Sequence, residues 1–530
     1  TEDAGVGSKR FSTGAVFVDI NNDNFLDLYV CNSGVIDNPI KLANQLYINQ
    51  KDGTFKEMGG QYNVNDPNHS TQAAFFDYDA DGDLDLYVMN HSILFRMSQD
   101  NVKKEIKNKK KLRKLSGRLL ENNNGTFIDV TQKSGLLRHG YGLGLSVSDI
   151  NSDGYPDIYV ANDFSIPDFF YINNGNGTFT DKQKELTRQI SWFGMGTDIA
   201  DINNDGFLDI GVLDMAANDH VRSKTFMASM NPSTVDYYVN VMKYPHQFMF
   251  NTLQLNNGNN TFSNIANLAG ISKTDWSWGA LFADFNNDGF KDFFVSNGFR
   301  KNTLDNDFQI KLKETMRLFK GKIDKKNRQE LYKEMPEVKL PNKLFINNQN
   351  LKFNDIGDKQ GLHQPSFSNG AAYADLDNDG DLDLVVNNID QEAFIYKNNS
   401  QDNNNNYIRV SLDATNNSEY YNAKVFIYYD KKLQMQEYSP ARGFQSCVEH
   451  TLHFGVPEQI NNIDSILVYW LDGTSKKVEN PKLNSVVKIT KLGSEMIAKK
   501  PLIETLFETV EASNYEITFI HKENQFDDFI

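Results

Sequence analysis

The stretch Asp375-Leu-Asp-Asn-Asp-Gly-Asp-Leu-Asp383, followed by the apolar run Leu384-Val-Val386, contains the pattern that decides the fold. Carboxylates at alternate positions repel one another unless a cation lies among them. Five more copies of the pattern begin at Asp19, Asp77, Asp149, Asp201 and Asp284. We call the six segments acidic loops 1 to 6 in chain order. Together they predict a repeat protein whose loops hold metal ions.

Short runs rich in Val, Phe and Tyr flank each acidic loop, such as Gly14-Ala-Val-Phe-Val18 and Leu26-Asp-Leu-Tyr-Val30. Their length and composition are typical of β-strands. A hairpin signal follows, as in residues 168–179, where Asn and Gly supply the positive φ of a tight turn. Each repeat is therefore predicted to contain four strands.

A phenylalanine that opens the predicted fourth strand lies 22 residues before the next acidic loop in five repeats. These residues are Phe55, Phe127, Phe179, Phe262 and Phe353. A constant internal spacing combined with an irregular overall period predicts the blades of a β-propeller. We therefore expect an all-β fold, in which a β-propeller of six identifiable blades precedes a small β domain.

The same spacing aligns Thr1 with Thr131, and it places Phe507-Glu-Thr-Val510 as a fourth strand 22 residues before Phe529. We interpret the chain as an internal part of a longer repeat protein. The predicted domains are a propeller over 1–399, a linker over 400–406, a small β domain over 407–491, and a linker with the start of a further repeat over 492–530.

Three insertions separate the predicted second and third strands of their blades, at residues 92–119, 215–247 and 297–341. The last is predicted to be helical from Phe308 to Met335. Connections between second and third strands share one face of a propeller, so we expect the insertions opposite the acidic loops. The lysine-rich run 103–114 is interpreted as a solvated helix face, with a basic groove as the alternative.

The candidate metal ligands occupy positions 1, 3, 5, 7 and 9 of each loop. They are Asp19, Asn21, Asp23, Phe25 and Asp27 in loop 1; Asp77, Asp79, Asp81, Asp83 and Asp85 in loop 2; Asp149, Asn151, Asp153, Tyr155 and Asp157 in loop 3; Asp201, Asn203, Asp205, Phe207 and Asp209 in loop 4; Asp284, Asn286, Asp288, Phe290 and Asp292 in loop 5; and Asp375, Asp377, Asp379, Asp381 and Asp383 in loop 6.

Oxygen ligands in this number favour calcium over magnesium or zinc, and calcium is the predicted cofactor. Position 6, where the chain turns sharply, is Gly in five loops and Asn24 in loop 1. An EF-hand requires Glu at position 12, but all six loops have Val there, which excludes this motif. Acidic surface turns without an ion are the remaining alternative.

The acidic loops in their strand-loop-strand setting resemble the FG-GAP/VCBS repeats of integrin-α-like β-propellers. The segments Ala441-Arg-Gly-Phe-Gln-Ser446, Leu452-His-Phe-Gly455 and Trp470-Leu-Asp-Gly473 resemble the ASPIC/UnbV domain of cartilage-acidic-protein-like chains. The resemblance implies a calcium-loop β-propeller, with seven blades in the full protein, that is extracellular, on the cell surface or periplasmic. It also implies a role in adhesion or in contact with glycans.

The formal net charge of −16 argues against a nucleic-acid partner, and no apolar run is long enough to span a bilayer. Cys31 and Cys447 are interpreted as isolated buried thiols. The histidines form no HExxH motif, and we predict structural roles for His450 and His453 rather than a metal or acid-base pair. We therefore predict a non-enzymatic module that binds a surface glycan or protein. The alternatives are a calcium-dependent polysaccharide lyase or dehydratase and a purely structural assembly module.

The segment Thr274-Asp-Trp-Ser-Trp-Gly279 is the candidate ligand contact. It joins one blade to the next on the insertion-bearing face, where Trp276 and Trp278 could stack on sugar rings. Packing between blades is the alternative role of the two tryptophans.

Overall fold

The computed structural model describes residues 1–34, 38–97, 99–164, 166–225, 232–302, 305–319, 321, 323–400 and 404–496. The further repeat predicted at Phe507 and Phe529 lies outside the described residues. Over the described ranges, the protein is built mainly from antiparallel β-sheets.

Six consecutive sheets, which we call blades 1 to 6, each contain one acidic loop between their first and second strands. Blade 1 contains β1 (Phe11–Val18), β2 (Asp27–Ser33), β3 (Gln45–Asn49) and β4 (Phe55–Glu57). Blade 2 contains β5 (Ser70–Phe76), β6 (Asp85–Asn90), β7 (Arg118–Asn123) and β8 (Thr126–Asp129). Blade 3 contains β9 (Gly142–Ser148), β10 (Asp157–Asn162), β11 (Phe169–Asn173) and β12 (Phe179–Asp181).

In blade 4 a short parallel pair, β13 (Gln189–Ser191) and β16 (His246–Phe248), accompanies the sheet of β14 (Thr197–Ala200), β15 (Asp209–Val212), β17 (Thr252–Asn256) and β18 (Phe262–Asn264). Blade 5 contains β19 (Ser277–Ala283), β20 (Asp292–Asn297), β21 (Lys343–Asn347) and β22 (Phe353–Asp355). Blade 6 has three strands, β23 (Ser368–Ala374), β24 (Asp383–Asn388) and β25 (Phe394–Tyr396). The prediction of four strands per repeat is thus confirmed in five of the six blades described.

The first strands of successive blades contact one another, in the order β1, β5, β9, β14, β19 and β23. Within each blade the first two strands pair so that the acidic loop lies at one end, with Val18 opposite Asp27 in blade 1 and Ala283 opposite Asp292 in blade 5. All six acidic loops therefore lie on one face, which we call the acidic-loop face, as predicted.

Blade 1 has one sheet face that no neighbouring blade covers in the described part of the chain. Phe17 is 41% exposed, whereas Phe75 and Phe282, at the same position before acidic loops 2 and 5, are 4% and 1% exposed. The described strands do not form one closed sheet, so the predicted number of seven blades remains a prediction.

The three insertions lie at the opposite ends of the blades, on what we call the insertion face. The first contains α3 (Gln99–Ile106) and α4 (Lys109–Leu115), and its lysines 109–111 are exposed, in agreement with a solvated helix face. The second contains α6 (Arg222–Thr225), α7 (Pro232–Asp236) and a π-helical turn at Tyr237–Val241. The third contains α9 (Asn306–Leu318) and α10 (Lys325–Glu334), which confirms the predicted helices.

Short helices make up the remaining connections. They are α1 (Pro39–Leu42), α2 (Gly59–Tyr62), α5 (Gln183–Leu186) and α8 (Ala266–Ala269), together with 3-10 turns at Ile93–Arg96, Gly357–Gln360 and Asn417–Tyr420.

The C-terminal domain begins at β26 and forms two sheets and a hairpin. One sheet contains β31 (Leu452–Val456), β26 (Asn406–Asp413) and β34 (Ser485–Thr490). The other contains β28 (Lys432–Glu437), β27 (Lys424–Tyr429), β32 (Ser465–Tyr469), β33 (Thr474–Glu479) and β35 (Glu495–Met496). The hairpin contains β29 (Ala441–Arg442) and β30 (Ser446–Cys447). The domain thus continues past the predicted boundary at residue 491.

The C-terminal domain packs directly against the blades. One buried cluster joins side chains of blades 1 to 3 with side chains of the C-terminal domain, among them Val18, Tyr78 and Phe454. Part of the predicted linker is packed as well, because Asn405 Nδ2 donates to the Asn286 carbonyl of loop 5 at 2.9 Å. Apolar side chains of blades 1 to 3 and of the C-terminal domain thus form one continuous core, where the sequence analysis expected two.

The hairpin of residues 441–447, which we call the axial hairpin, enters the centre of the ring of blades. Its strand β29 contacts β5, β9 and β14, and β30 contacts β1 and β23. The Gln445 carbonyl accepts the Ala15 N–H at 3.4 Å, and Gly443 pairs with Thr197. The C-terminal domain is therefore anchored at the axis as well as on the acidic-loop face.

Candidate functional site

The first aspartate of an acidic loop is held by backbone N–H groups of its own loop. Asp149 Oδ1 accepts the Asp153 N–H at 3.0 Å, and its Oδ2 accepts the Gly154 N–H at 3.2 Å. Loops 1, 4, 5 and 6 have the same pair of bonds. This geometry curls the loop around the space that its carboxylates share.

Positive φ values allow this tight turn. Position 6 has φ of 95° at Gly154 and 67° at Asn24, which confirms the prediction that this position turns sharply. Position 4 is also left-handed in all six loops, with φ of 61° even at Ala80. The sequence analysis missed position 4, because its residue types include Ala and Ser as well as Asn.

The aspartate at position 9 is held by an asparagine at the end of the third strand, which we call the clasp asparagine. In loop 3, the backbone N–H of Asn173 donates to Asp157 Oδ1, and the N–H of Ile150, at position 2, donates to Asp157 Oδ2. The six clasp asparagines are Asn49, Asn122, Asn173, Asn256, Asn347 and Asn398, with N–H to Oδ1 distances of 2.7–3.0 Å. The sequence analysis missed this role, although an Asn precedes each predicted turn between third and fourth strands.

Three clasp asparagines also connect neighbouring blades. The Nδ2 groups of Asn173, Asn347 and Asn398 each donate at 2.8 Å to a carbonyl at position 2 of the preceding acidic loop. The acceptors are Tyr78 and Ile202 in loops 2 and 4 and Phe285 in loop 5. The shape of one acidic loop is thereby coupled to the position of the adjacent blade.

Loops 2 and 6, with five aspartates each, bring carboxylates closest together. Oxygens of Asp77, Asp79 and Asp85 lie within 4.8 Å of one another, and so do those of Asp375, Asp377 and Asp379. In loop 2, the buried Oδ1 atoms of Asp77, Asp79 and Asp83 have no hydrogen-bond partner within the described structure. Asp77 and Asp79 belong to both sets, and clustered carboxylates with unpartnered oxygens fit a calcium ion.

The protonation of these carboxylates fits the same cation. Burial, with a smaller contribution from nearby loop carboxylates, raises the pKa of Asp77 to about 6 and that of Asp85 to about 9. Burial likewise raises the pKa of Asp157, Asp209 and Asp292 well above the usual carboxyl range. A bound cation would offset the cost of keeping these groups ionised.

In loops 1, 3, 4 and 5, an asparagine occupies position 3 beside the aspartate at position 5. Asn151 Nδ2 donates to Asp153 Oδ2 at 2.8 Å, and Asn21 Oδ1 accepts the Asp23 N–H at 3.1 Å. At position 7, the N–H of Tyr155 donates to Asp153 Oδ1 at 2.9 Å. The predicted ligand positions are thus adjacent in space, and calcium binding at them remains a prediction.

The C-terminal domain binds loops 3 and 6 through the same combination of a hydrogen bond and an ion pair. Glu437 accepts the N–H of Asp149, and Lys424 Nζ lies 3.0 Å from Asp149 Oδ2. Glu449 accepts the N–H of Asp375, and Arg409 Nη1 lies 2.7 Å from Asp375 Oδ2. In both loops, a glutamate of the C-terminal domain accepts the backbone N–H of the first aspartate, and a lysine or arginine forms an ion pair with the side chain of that aspartate.

The other acidic loops are covered by uncharged groups. Asn417 Nδ2 donates to Asp19 Oδ2 at 2.5 Å, and Ser418 Oγ donates to the Gly82 carbonyl at 2.5 Å. Met435 shares a buried cluster with Leu208 of loop 4. His453 Nε2 lies 2.6 Å from Asn287 Oδ1 of loop 5. The C-terminal domain therefore contacts all six acidic loops.

His450 and His453 both form hydrogen bonds within the protein, which favours the predicted structural roles. His450 Nδ1 lies 2.6 Å from the Tyr438 hydroxyl, and burial lowers the pKa of His450 to about 4 and that of His453 to about 3. Both rings are therefore neutral near pH 7. Of the two cysteines, Cys31 is buried and Cys447 is partly buried, and neither forms a disulfide.

The two candidate ligand tryptophans lie where blade 5 begins. Trp276 is 6% exposed and stacks on Phe299 with ring centroids 3.6 Å apart, which favours the packing role. Trp278 is half-buried, donates from Nε1 to the Gly298 carbonyl at 2.7 Å, and contacts Phe444 of the axial hairpin. Ligand contact by either ring remains a prediction.

A larger group of half-exposed aromatic rings lies on the insertion face, and we call it the aromatic patch. Tyr238 and Tyr244 stack at 5.8 Å with an interplanar angle of 4°, and Trp192 meets Tyr238 edge-on at 5.6 Å. Lys103 Nζ lies 3.3 Å from the Tyr237 hydroxyl. Tyr237, Tyr238 and Tyr244 belong to the predicted insertion at residues 215–247. The sequence analysis could not predict that Trp192, from outside this insertion, joins them.

Comparison with family models finds two matches. Residues 413–495 match the ASPIC and UnbV model, and residues 19–88, 149–212 and 234–295 match the FG-GAP-like repeat model. These matches confirm the two resemblances drawn from the motifs.

Among individual proteins, the chain is similar to cartilage acidic protein 1 of Homo sapiens. The two are 25% identical over 370 residues, which make up 68% of this chain and 46% of that protein. The mouse protein gives the same identity, with 47% of its length matched. The chain thus spans about half the length of the curated relatives it matches.

Two solved structures show remote similarity. An Agrocybe aegerita lectin that recognises non-reducing terminal N-acetylglucosamine is 13% identical, with 74% of this chain and 82% of the lectin covered and a TM-score of 0.35. A Bacillus licheniformis rhamnogalacturonan lyase is 13% identical, with 73% and 71% covered and a TM-score of 0.27. At these TM-scores neither similarity bears on function.

Among the described residues, no helix is long and apolar enough to cross a membrane.

Proposed function

This chain carries FG-GAP-like repeats and an ASPIC/UnbV domain, and we propose that it is a calcium-stabilised, non-enzymatic binding scaffold that acts outside the cell or at its surface. Calcium ions occupy the acidic loops and stabilise the blades. The C-terminal domain holds the acidic-loop face, and the insertion face contacts a glycan.

Calcium binding is supported by the donor set of the loops. Positions 1, 3, 5 and 9 supply carboxylate or amide oxygens, and loop 2 leaves three buried carboxylate oxygens without a hydrogen-bond partner in the described structure. Sites of this kind are filled readily where calcium is millimolar, which is the condition outside cells.

We propose the insertion face as the ligand-binding face because the C-terminal domain covers the acidic-loop face. The C-terminal domain contacts all six acidic loops and inserts the axial hairpin at the centre. A ligand is therefore expected at the insertion face, where the aromatic patch presents half-exposed rings with phenolic hydroxyls. Such rings stack on sugars and hydrogen-bond to sugar hydroxyls.

A glycan array probed with the purified chain, with calcium and with chelator, tests this proposal. We expect binding that Tyr238→Ala or Tyr244→Ala weakens at least tenfold without lowering the melting temperature in calcium. Tyr428→Ala, which truncates a half-buried tyrosine of the C-terminal domain, is the matched control. Binding to proteins alone would contradict the glycan proposal, and the absence of any ligand would favour the structural alternative.

A calcium-dependent polysaccharide lyase or dehydratase is the second candidate. Burial raises the pKa of Asp163 to about 7, and this residue lies beside Tyr141 next to the aromatic patch. A carboxylate with such a pKa suits a general base. Polysaccharide cleavage that is lost in Asp163→Asn, while glycan binding is retained, would favour the enzyme over the binding scaffold.

A further inference from the structure

Loops 2 and 6 have the same pattern of five aspartates but opposite charges beside them. The residue before the clasp asparagine is Glu121 in blade 2 and Lys397 in blade 6. In blades 1, 3, 4 and 5 the same position holds Ile48, Ile172, Leu255 and Ile346. The two loops with the most carboxylates are therefore the two with a charged residue at this position.

Lys397 contacts the carboxylates that would hold an ion in loop 6. Its ammonium pairs with Asp377 and lies 3.4 Å from Asp379 Oδ2, at positions 3 and 5. Arg409 of the C-terminal domain adds a second cation on Asp375. Two protein cations thus already neutralise part of the charge of loop 6.

Glu121 has the opposite effect on loop 2. Its carboxylate accepts the hydroxyl of Tyr78, at position 2 of the loop, at 2.7 Å. Lys133 Nζ lies 3.7 Å from Glu121 Oε2, but the Lys133 side chain is 74% exposed, so this ion pair is weak. In the described part of the chain no lysine or arginine forms an ion pair with an aspartate of this loop. Asp77, 8% exposed, has one oxygen without a hydrogen-bond partner there. The aspartates of loop 2 therefore lack the direct cation partners that Asp375, Asp377 and Asp379 of loop 6 have.

We propose that the residue before the clasp asparagine sets the calcium affinity of its loop, so that loop 2 is a tight structural site and loop 6 a weaker, calcium-responsive one. This inference rests on the proposed binding of calcium. Calcium has to displace the Lys397 ammonium from Asp377 and Asp379, whereas Glu121 adds attraction for the ion at loop 2. The side chain at this position acts through the ligands that it faces, as outer-shell residues of metal sites do.

Isothermal titration with calcium and native mass spectrometry of the intact chain test the proposal. Lys397→Gln is expected to tighten one site about two- to five-fold, the range of an exposed ion pair, and Lys397→Glu to tighten it further. Glu121→Gln is expected to weaken calcium binding at the tightest site, and Glu121→Lys to weaken it further. Asp379→Asn, combined with Lys397→Gln, should remove the gain and so assign it to loop 6.

The matched controls are Lys477→Gln and Glu479→Gln, which remove the charges of an exposed ion pair in the C-terminal domain. If Glu121→Lys does not fold, Glu121→Gln still decides the outcome for loop 2. Wild-type protein that binds no calcium would overturn the proposed function itself. Wild-type protein that binds calcium, with Lys397 and Glu121 variants indistinguishable from the controls, would overturn only this inference.

Discussion

Arg442 of the axial hairpin forms an ion pair with Asp198 on the first strand of blade 4, with Nε 2.6 Å from Oδ1 and Nη2 3.0 Å from Oδ2. The same guanidinium donates to the Ile199 carbonyl at 2.8 Å and to the Tyr373 hydroxyl of blade 6 at 3.2 Å. One side chain of the C-terminal domain thus joins two blades at the centre of the ring.

Removing this cation should destabilise the whole chain. Asp198 is 1% exposed, so Arg442→Met leaves a buried carboxylate without its cation, at a cost of about 3–5 kcal/mol. Urea unfolding measures the loss, and Asp198→Asn in the same chain should recover part of it. Arg300→Met, which breaks an ion pair with exposed side chains, is expected to cost less than about 1 kcal/mol. Equal costs for the two arginines would contradict the anchoring role of Arg442.

The pH dependence of stability should reverse when calcium is added. The pKa values of Asp77 and Asp85, raised by burial to about 6 and about 9, lie above the ordinary 3.8. Without calcium, the stability that these protonated carboxyls provide is complete below pH 3.8 and is lost as the pH rises through about 6 and about 9. Calcium requires the ionised forms, so its affinity rises over the same range.

Thermal melts at about pH 5.5 and pH 8.5, with calcium or chelator, test this reversal. We expect the increase in melting temperature caused by calcium to be larger at the higher pH. Asp85→Asn, which cannot ionise, should reduce the difference between the two pH values. An increase independent of pH would show that these carboxylates are not the groups that calcium binds.

Two phenylalanines at equivalent positions should differ in their contribution to folding. Phe75→Ala removes a ring that is 4% exposed between blades and is expected to cost about 3–5 kcal/mol. Phe17→Ala removes a ring that is 41% exposed, for which about 1 kcal/mol is expected. Chemical denaturation of both variants gives the comparison. A similar cost at Phe17 would mean that another part of the protein covers this flank in solution.

Replacing a clasp asparagine should lower the stability of the protein more than replacing another asparagine of the same turn. In Asn347→Ala, the carbonyls of Ile202 and Lys291 lose their donor, which is expected to lower stability by about 1–3 kcal/mol. The exposed Asn257, which bonds the Thr261 hydroxyl in a turn, is the control, and its replacement by Ala should have little effect. A calcium titration of both variants will also show whether the clasp asparagine positions Asp292, the candidate ligand at position 9 of loop 5.

Local pattern in the sequence was sufficient for most of the repeat. Alternating apolar residues predicted the strands, Asn and Gly predicted the turns, and the constant spacing from Phe55 to Phe353 predicted equivalent blades. The candidate ligand positions of the acidic loops could be proposed from the sequence because a metal loop takes its donors from one short segment. The second-to-third strand insertions were placed correctly, since the direction of each strand follows from the order of the elements.

Contacts between distant segments were decided only by the tertiary structure. Nothing periodic in the sequence marks Arg409 as the partner of Asp375, 34 residues earlier, or Lys424 as the partner of Asp149, 275 residues earlier. The apolar strands of the C-terminal domain fitted an independent core equally well. Trp276 looks the same in sequence whether it stacks on Phe299 or on a ligand. The sequence by itself determined which residues can hold a cation. The folded chain decided which charges surround each loop, because electrostatic partners are selected by proximity in space and not along the chain.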